Sequence, residues 1–267
     1  MVMKVSDIMK RHDFKKKFGQ NFLTDKNLLN KIVNEAGVKN KDVIEIGPGM
    51  GALTKALLKQ VNSLHAFEVD TELKPYLDSI KDEYNNFDYD FKDILNVDLK
   101  KDKEYHVVSN IPYNLTSPII FKILENKQIK SATLMVQKEV ALRITANPNS
   151  KDYNALTVIV NYYMDVKYIM EVKRHMFRPV PNVDSAVFKM DRKTPVLNDD
   201  EEAIFLEIVK AAFHQKRKTL ANNLSFSFNV KKALINDFLT NLEIDLNARA
   251  EALSLINFIN ITKKWPF

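Results

Sequence analysis

Three of the chain's five glycines, Gly47, Gly49 and Gly51, stand together in one short window. Average usage would give a chain of 267 residues about 19 glycines, so the cluster occurs in a sequence that otherwise avoids this residue. The window follows a β-rich run, residues 43–46, and opens a segment with helical spacing. Because glycine permits positive φ and close approach of the backbone, the cluster predicts a loop that binds a ligand. A tight turn is the alternative, and we expect it to need only one glycine.

Strand-like and helix-like segments alternate through the first two-thirds of the chain. The β-rich runs are residues 43–46, 64–69, 87–91, 106–109, 132–136, 166–172 and 183–190. This alternation predicts an α/β fold, with a parallel sheet that binds ligands beyond the C-terminal ends of its strands. Beyond residue 192 the pattern is helical only. We therefore predict an α/β domain over residues 1–192 and a small all-α domain over residues 198–267.

The composition excludes several classes of protein. Apolar residues make up 45% and charged residues 28%, which is typical of a folded globular protein. The absence of cysteine excludes disulfide scaffolds, thiolate metal sites and thiol nucleophiles. No stretch approaches the roughly 18 apolar residues of a membrane span, and the five histidines show no metal-binding spacing. We expect a cytoplasmic monomer with no membrane segment and no bound metal.

Positive charge is concentrated in two segments of the chain. Residues 1–17 contain six Lys or Arg against two Asp, and residues 210–218 contain Lys210, Lys216, Arg217 and Lys218 with no acid. Basic patches of this kind are typical of proteins that bind polyanions such as nucleic acids. On charge alone, a nucleic-acid contact and a solvated surface remain open alternatives.

Two acidic residues follow predicted strands. Glu68 ends the second strand, 21 residues after Gly47, where a carboxylate can accept hydrogen bonds from ribose hydroxyls. Asp93 follows the third strand, where it can accept a hydrogen bond from the exocyclic amine of adenine. The alternatives are a solvated carboxylate for Glu68 and a helix N-cap for Asp93.

The most specific chemical signal is the tetrapeptide Asn110-Ile111-Pro112-Tyr113, directly after the fourth strand. An adenine amino nitrogen is a poor nucleophile because its lone pair is delocalised into the ring. The side-chain oxygen of Asn110 and the carbonyl of Ile111 can each accept one of its N–H groups, which makes that lone pair available. Pro112 fixes φ, and Tyr113 can stack on the base. A turn that ends the strand is the alternative.

These motifs, together with residues 18–23 (FGQNFL), resemble the ribosomal RNA adenine-N6 dimethyltransferases, the family of KsgA and Erm. The resemblance runs from about residue 14 to about residue 255. It implies a class I, Rossmann-like methyltransferase fold with a seven-stranded, mostly parallel sheet, and S-adenosyl-L-methionine as cofactor. The cofactor contacts that it implies are Asn21, Leu23, Gly47, Gly49, Glu68, Val69, Asp93, Ile94 and Asn110. The residues that it implies at the reacting adenine are Asn110, Ile111, Pro112, Tyr113 and Phe177.

Four segments look like the KsgA branch, namely residues 45–54, 177–187, 213–220 and 249–254. This branch implies 16S rRNA within the small ribosomal subunit as partner. It also implies dimethylation at N6 of two adjacent adenines in the 3′-terminal hairpin, and a role in subunit biogenesis. Residues 1–192 would then be the catalytic domain that binds the cofactor, and residues 198–267 the domain that recognises rRNA. The basic segments would hold phosphates of that hairpin. The alternatives are an Erm-type enzyme that methylates 23S rRNA and a non-catalytic ribosome-assembly or RNA-binding factor.

Overall fold

The structure is a computed structural model, and it describes residues 22–23, 25–100 and 102–267. The strands of this part of the chain are β1 (Phe22–Leu23), β2 (Asp42–Ile46), β3 (Ser63–Glu68), β4 (Phe87–Phe91), β5 (Tyr105–Asn110), β6 (Ile129–Gln137), β7 (Met164–Val172), β8 (Phe177–Arg178) and β9 (Ser185–Arg192). Its α-helices are α1 (Lys26–Ala36), α2 (Ala52–Leu57), α3 (Lys74–Glu83), α4 (Thr116–Glu125), α5 (Lys138–Ile144), α6 (Ala155–Tyr163), α7 (Asp199–Ala212), α8 (Leu220–Phe228), α9 (Lys232–Asn241) and α10 (Leu255–Lys263).

Seven of the strands form one sheet in the order β4-β3-β2-β5-β6-β9-β7, and β1 pairs separately with β8. The pairs β2–β3, β3–β4, β2–β5 and β5–β6 are parallel. The chain runs outward from β2 to β4 and then returns to place β5 on the other side of β2. The strand order therefore reverses between β2 and β5, where ligands bind in sheets of this type. The predicted α/β sheet is confirmed.

The strands beside this reversal are buried, as expected for parallel strands covered by helices on both faces. Four of the five residues of β2 are buried, and so are seven of the nine residues of β6. The helices show the matching amphipathic pattern. In α1 the buried side chains Leu29, Ile32, Val33 and Ala36 recur at helical spacing, while Asp25 caps the N-terminus through a hydrogen bond from Leu28 N.

The described residues form two compact units, each with its own hydrophobic core. The first runs to Lys138 and also includes Ile169–Lys189, and its core contains fully buried side chains such as Leu57 and Leu77. The second consists of Glu139–Tyr168 and Met190–Phe267. Every described helix is too short or too polar to cross a bilayer.

The division into units differs from the boundary expected from the sequence, because Glu139–Tyr168 groups with the C-terminal helices. Aromatic packing explains this grouping. The ring of Tyr162 lies 4.6 Å from the ring of Phe205, and the hydroxyl of Tyr153 donates to the carbonyl of Leu253 at 2.9 Å. These contacts join residues that are far apart in the sequence, so no local sequence pattern predicts them. The roles expected of the two predicted domains remain predictions.

Gly51 provides a test of the turn into α2. Its φ is +80°, and a Cβ built on it would lie 2.0 Å from Cδ1 of Ile80, a side chain that is only 1% exposed. Gly51→Ala therefore has to strain the backbone and also move Ile80 from its rotamer. The matched control is Gly37→Ala, at φ +66°, where the nearest atom is Lys189 Nζ at 3.7 Å.

We expect Gly51→Ala to lower the free energy of unfolding by about 1–3 kcal/mol more than Gly37→Ala, because only the first variant overpacks the core. Chemical denaturation followed by circular dichroism measures both losses. Equal losses would mean that Ile80 adapts freely and does not constrain the turn.

Candidate active site

A crevice opens beyond the carboxyl ends of β2, β3, β4 and β5, at the reversal of strand order. The predicted site residues that line it are Leu23, Gly47, Gly49, Glu68, Val69, Asp93, Ile94, Asn110, Ile111, Pro112 and Tyr113. Residues spread over more than a third of the sequence therefore meet at one place. Asn21 and the basic segment of residues 1–17 lie outside the described residues.

The glycine loop joins β2 to α2. Gly47, Gly49 and Gly51 all have positive φ, at +70°, +58° and +80°. The expectation that a turn would need only one glycine is therefore wrong, since the turn itself uses all three. Gly47 N donates to Phe67 O at 2.8 Å, and a Cβ on Gly47 would lie 3.8 Å from Cδ of Pro112. The prediction that this loop binds a ligand therefore depends on the position of the loop, which lies at the crevice and next to Pro112.

The carboxylate of Glu68 is held at the end of β3 by backbone N–H groups. Its Oε1 accepts from Val69 N at 2.8 Å and Asp70 N at 3.0 Å, and its Oε2 accepts from Gly49 N at 3.2 Å. Burial raises the pKa of Glu68, and the three N–H donors oppose that shift by favouring the ionised form. Glu68 is only 6% exposed, so the solvated-carboxylate alternative is wrong.

Asp93 caps a short helical turn, which was the alternative to a ligand contact. Its Oδ1 accepts from Leu95 N at 3.0 Å at the start of the 3-10 turn Ile94–Asn96. A carboxylate has a second oxygen, so capping and contact with a ligand are compatible. Ile94 is buried and Val69 is exposed beside the crevice, which adds apolar surface to its wall.

The Asn-Ile-Pro-Tyr segment leaves the sheet directly beside the glycine loop. Asn110 pairs with Met135 of β6, and Ile111 N donates to Met135 O at 3.3 Å. Pro112, at φ −58° and ψ 131°, directs the chain into the 3-10 turn Tyr113–Leu115. The hydroxyl of Tyr113 makes a 2.6 Å hydrogen bond to Oγ of the fully buried Ser185. Burial raises the pKa of Tyr113, so its phenol stays neutral.

Ser109 is a site residue that the sequence reasoning missed. Its hydroxyl accepts from Ile46 N at 3.0 Å and donates to Ile46 O. This side chain therefore joins the end of β2 to the end of β5 immediately before both loops. In the sequence, Ser109 is a small polar residue between the apolar pair Val107-Val108 and the Asn110–Tyr113 segment, and this position is the signal that could have identified it.

Glu45 is a second such residue, buried under the glycine loop. It is 1% exposed, and its Oε2 accepts a 2.6 Å hydrogen bond from Thr54 Oγ1. Burial raises the pKa of Glu45 to about 8, and the nearby carboxylate of Glu68 adds to the shift. Glu45 is therefore mostly neutral at pH 7.

Phe177 lies apart from the other predicted site residues that the structure describes, which line the crevice. It is fully buried in the hydrophobic core, and Leu23 is its partner in the β1–β8 pair. Phe177 is not among the described residues that line the crevice. Its packing against a target adenine stays a prediction. The described residues contain no group of three or more His, Cys, Asp or Glu that could hold a metal ion.

Glu45 gives the folded protein a pH dependence with a definite sign. The unfolded chain releases this proton near the ordinary pKa of 4.5, whereas the folded protein keeps it to about pH 8. Between these values the native state binds more protons, so this group makes stability fall as pH rises, by up to about 1.4 kcal/mol per pH unit.

We expect Glu45→Gln, which retains an acceptor for Thr54, to remove this part of the slope in denaturation measured from pH 5 to 8. Glu35→Gln, at an exposed helical position, is the control and should keep the wild-type slope. An unchanged slope in Glu45→Gln would mean that Glu45 is ionised in the folded state.

Comparison with known proteins agrees with this site. The model of the ribosomal RNA adenine dimethylase family matches residues 11–263. A ribosomal RNA small subunit methyltransferase A from Onion yellows phytoplasma is 46% identical over 262 residues, which cover 95% of this chain and 97% of the relative.

Solved structures give the same fold. A dimethyladenosine transferase from Plasmodium falciparum superimposes with a TM-score of 0.79 at 27% identity, over 91% of this chain and 98% of the other. The 23S rRNA methyltransferase ErmE has a TM-score of 0.74 at 24% identity over the same shares of the two chains, which supports the fold alone. The sheet order and these neighbours identify a class I methyltransferase fold. By the family match and the identity to its relatives, the chain belongs to the ribosomal RNA adenine dimethylase family.

Proposed function

We propose that this protein methylates N6 of two adjacent adenines in the 3′-terminal hairpin of 16S rRNA, within the small ribosomal subunit. The product is N6,N6-dimethyladenosine, and the reaction belongs to small-subunit biogenesis in the cytoplasm. The observation that carries the proposal is one crevice in which the buried carboxylate of Glu68 and the Asn110–Tyr113 segment lie on either side of the glycine loop. The 46% identity to a small-subunit methyltransferase supports the KsgA branch.

The crevice fits S-adenosyl-L-methionine as the methyl donor. Glu68 presents a buried carboxylate that ribose hydroxyls can approach, and the positive φ values of Gly47 and Gly49 leave the backbone open beside it. Asp93 and Ile94 suit the amine and the ring of the cofactor's adenine. We assign Asn21, Leu23 and Val69 to the same cofactor, as the family resemblance implies. When bound, the cofactor supplies an electrophilic methyl group on a sulfonium.

Asn110 and Ile111 orient the amine of the target adenine. The side-chain oxygen of Asn110 and the carbonyl of Ile111 each accept one N–H, which favours a tetrahedral nitrogen with an available lone pair. Tyr113 stacks on the base while Ser185 fixes its hydroxyl. The base has to leave its helical stack to reach these groups. Catalysis is then mainly orientation and hydrogen bonding, and the proton leaves to water after transfer.

The substrate can be tested directly. We would incubate the protein and labelled cofactor with unmethylated small and large ribosomal subunits and map the labelled adenines. Label in the 3′-terminal hairpin of 16S rRNA is expected. Label in 23S rRNA would instead indicate an Erm-type enzyme, and no label would indicate a non-catalytic assembly factor.

Asn110→Ala separates chemistry from cofactor binding. We expect methyl transfer to fall about 100- to 1,000-fold, because a group that stabilises the reacting amine is lost. Binding of the cofactor, measured by calorimetry, should weaken far less than transfer, although the family resemblance also implies that Asn110 contacts the cofactor. Asn114→Ala, at an exposed neighbouring position, should keep full activity. An equal loss of binding and transfer in Asn110→Ala would contradict the role assigned to this residue.

Glu68→Ala should act on the cofactor first. Loss of charge-assisted hydrogen bonds to the ribose is expected to raise the dissociation constant of S-adenosyl-L-methionine about 10- to 100-fold. Asp82→Ala removes an exposed carboxylate that does not line the crevice, and should leave that constant unchanged. Wild-type affinity in Glu68→Ala would refute the ribose contact.

A further inference from the structure

Phe226 lies on the solvent side of α8. It is 69% exposed, the highest value among the large hydrophobic side chains that the structure describes. The helix packs inward through Leu220 and Leu224, and Phe226 lies about 200° around the helix from Leu224. Its ring therefore faces away from the core of the helical unit.

The ring of Phe226 stacks on the exposed imidazole of His214. The two ring centroids are 5.5 Å apart and the ring planes are 17° from parallel. His214 follows the end of α7, so residues from two elements form one stack of two nearly parallel rings. We call the pair Phe226 and His214 the aromatic shelf. An offset stack of this kind holds both planes in a fixed orientation and leaves aromatic surface open to solvent.

The surroundings of the aromatic shelf are basic. His214 begins an exposed run that continues to Lys218 and contains Lys216 and Arg217. Because consecutive Cα atoms are at most about 3.8 Å apart, the backbone of Lys216 lies within about 8 Å of that of His214. Residues 208–236 contain six Lys or Arg and no Asp or Glu. The aromatic shelf is thus surrounded in sequence by cations alone.

An exposed stack of two rings, in a stretch of sequence that contains basic but no acidic residues, matches the chemistry of an unpaired nucleotide. Such a nucleotide presents a base with an open π face and a phosphate a few ångströms away, and proteins that bind single strands pair aromatic platforms with basic grooves. In a duplex the base faces are covered by neighbouring base pairs. A protein partner would be expected to meet a broader apolar patch than one ring pair.

We propose that the aromatic shelf stacks an unpaired base of the RNA substrate, while Lys216, Arg217 and Lys218 hold the adjoining phosphates. This is a second nucleotide position, carried by the helical unit, in addition to the adenine bound at Asn110. It deepens the proposed function, because it says that the enzyme recognises a single-stranded nucleotide as well as its target base.

The test compares Phe226→Ala with Phe226→Trp in the full-length protein. The probes are a short single-stranded RNA of mixed sequence, the same RNA annealed to its complement, and small ribosomal subunits, with dissociation constants measured by fluorescence anisotropy at several salt concentrations. We expect Phe226→Ala to bind the single strand about 5- to 100-fold more weakly, and Phe226→Trp to bind at least as well as the wild type. Duplex binding should be unchanged.

Salt dependence separates stacking from charge. Phe226→Ala should leave the slope of log affinity against log salt as it is, whereas Lys218→Glu should make it shallower. The matched control is Ile256→Ala, at an apolar position that is 67% exposed and belongs to a different helix. Alanine is favourable in helices, so both variants should fold, which thermal melts verify.

Three results would overturn the inference. Unchanged single-strand binding by Phe226→Ala would mean that no base stacks on the aromatic shelf. An equal loss of affinity for single strand and duplex would mean that the ring does not contact the face of a base. A loss seen only with ribosomal subunits would assign Phe226 to a protein partner. Methyl transfer is measured in a separate assay. A protein that binds single-stranded RNA through the aromatic shelf without methylating it would refute the proposed function but not the inference about the aromatic shelf.

Discussion

The hydroxyl of Ser109 holds together the two strand ends on which the site is built. β2 and β5 are neighbours in the sheet but distant in the chain. Val43 pairs with His106 and Ile44 with Val107, which lie before the ends of the two strands. Further along, Ser109 Oγ makes hydrogen bonds to both the N–H and the carbonyl of Ile46. One loop then carries the glycines and the other carries Asn110. A single buried side chain therefore adds to the strand pairing in holding the cofactor side and the substrate side of the crevice together.

Three buried carboxyl groups share this region, those of Glu45, Glu68 and Asp70, and the environments of the first two differ. Glu45 receives one side-chain hydrogen bond and is deeply buried, so it keeps its proton to about pH 8. Glu68 receives three backbone N–H donors, which favour its ionised form. Burial and the neighbouring carboxylate of Asp70 both raise the pKa of Glu68. The three N–H donors act against both effects at the place where we propose that the ribose binds.

Much of this arrangement could be predicted from the sequence, because parallel strands end at the same edge of a sheet. Glu68, Asp93 and Asn110 each follow or end a β-rich run, so a parallel sheet brings them to one edge. The glycine cluster predicts a ligand-binding loop after β2, and the structure adds that the turn itself requires positive φ at all three glycines. Local patterns report backbone preferences and strand ends well. They do not report which distant surfaces pack together.

Tertiary packing accounts for what the sequence did not predict. The segment Glu139–Tyr168 joins the C-terminal helices through rings such as Tyr162 on Phe205, a contact between residues in different elements. The burial of Phe177 likewise depends on its long-range pairing with Leu23. The hydrogen bond between Ser185 and Tyr113 joins two motifs that are far apart in the chain, and neither motif implies the other.

The short pairing of β1 with β8 has a consequence for the newly made protein. Leu23 lines the crevice near the start of the chain, yet its strand partner is Phe177. During synthesis the early segment is available long before that partner exists. The wall of the crevice that contains Leu23 can therefore be completed only after translation has passed Arg178, so a nascent chain that already has its glycine loop and Asn110 still lacks this part of the pocket.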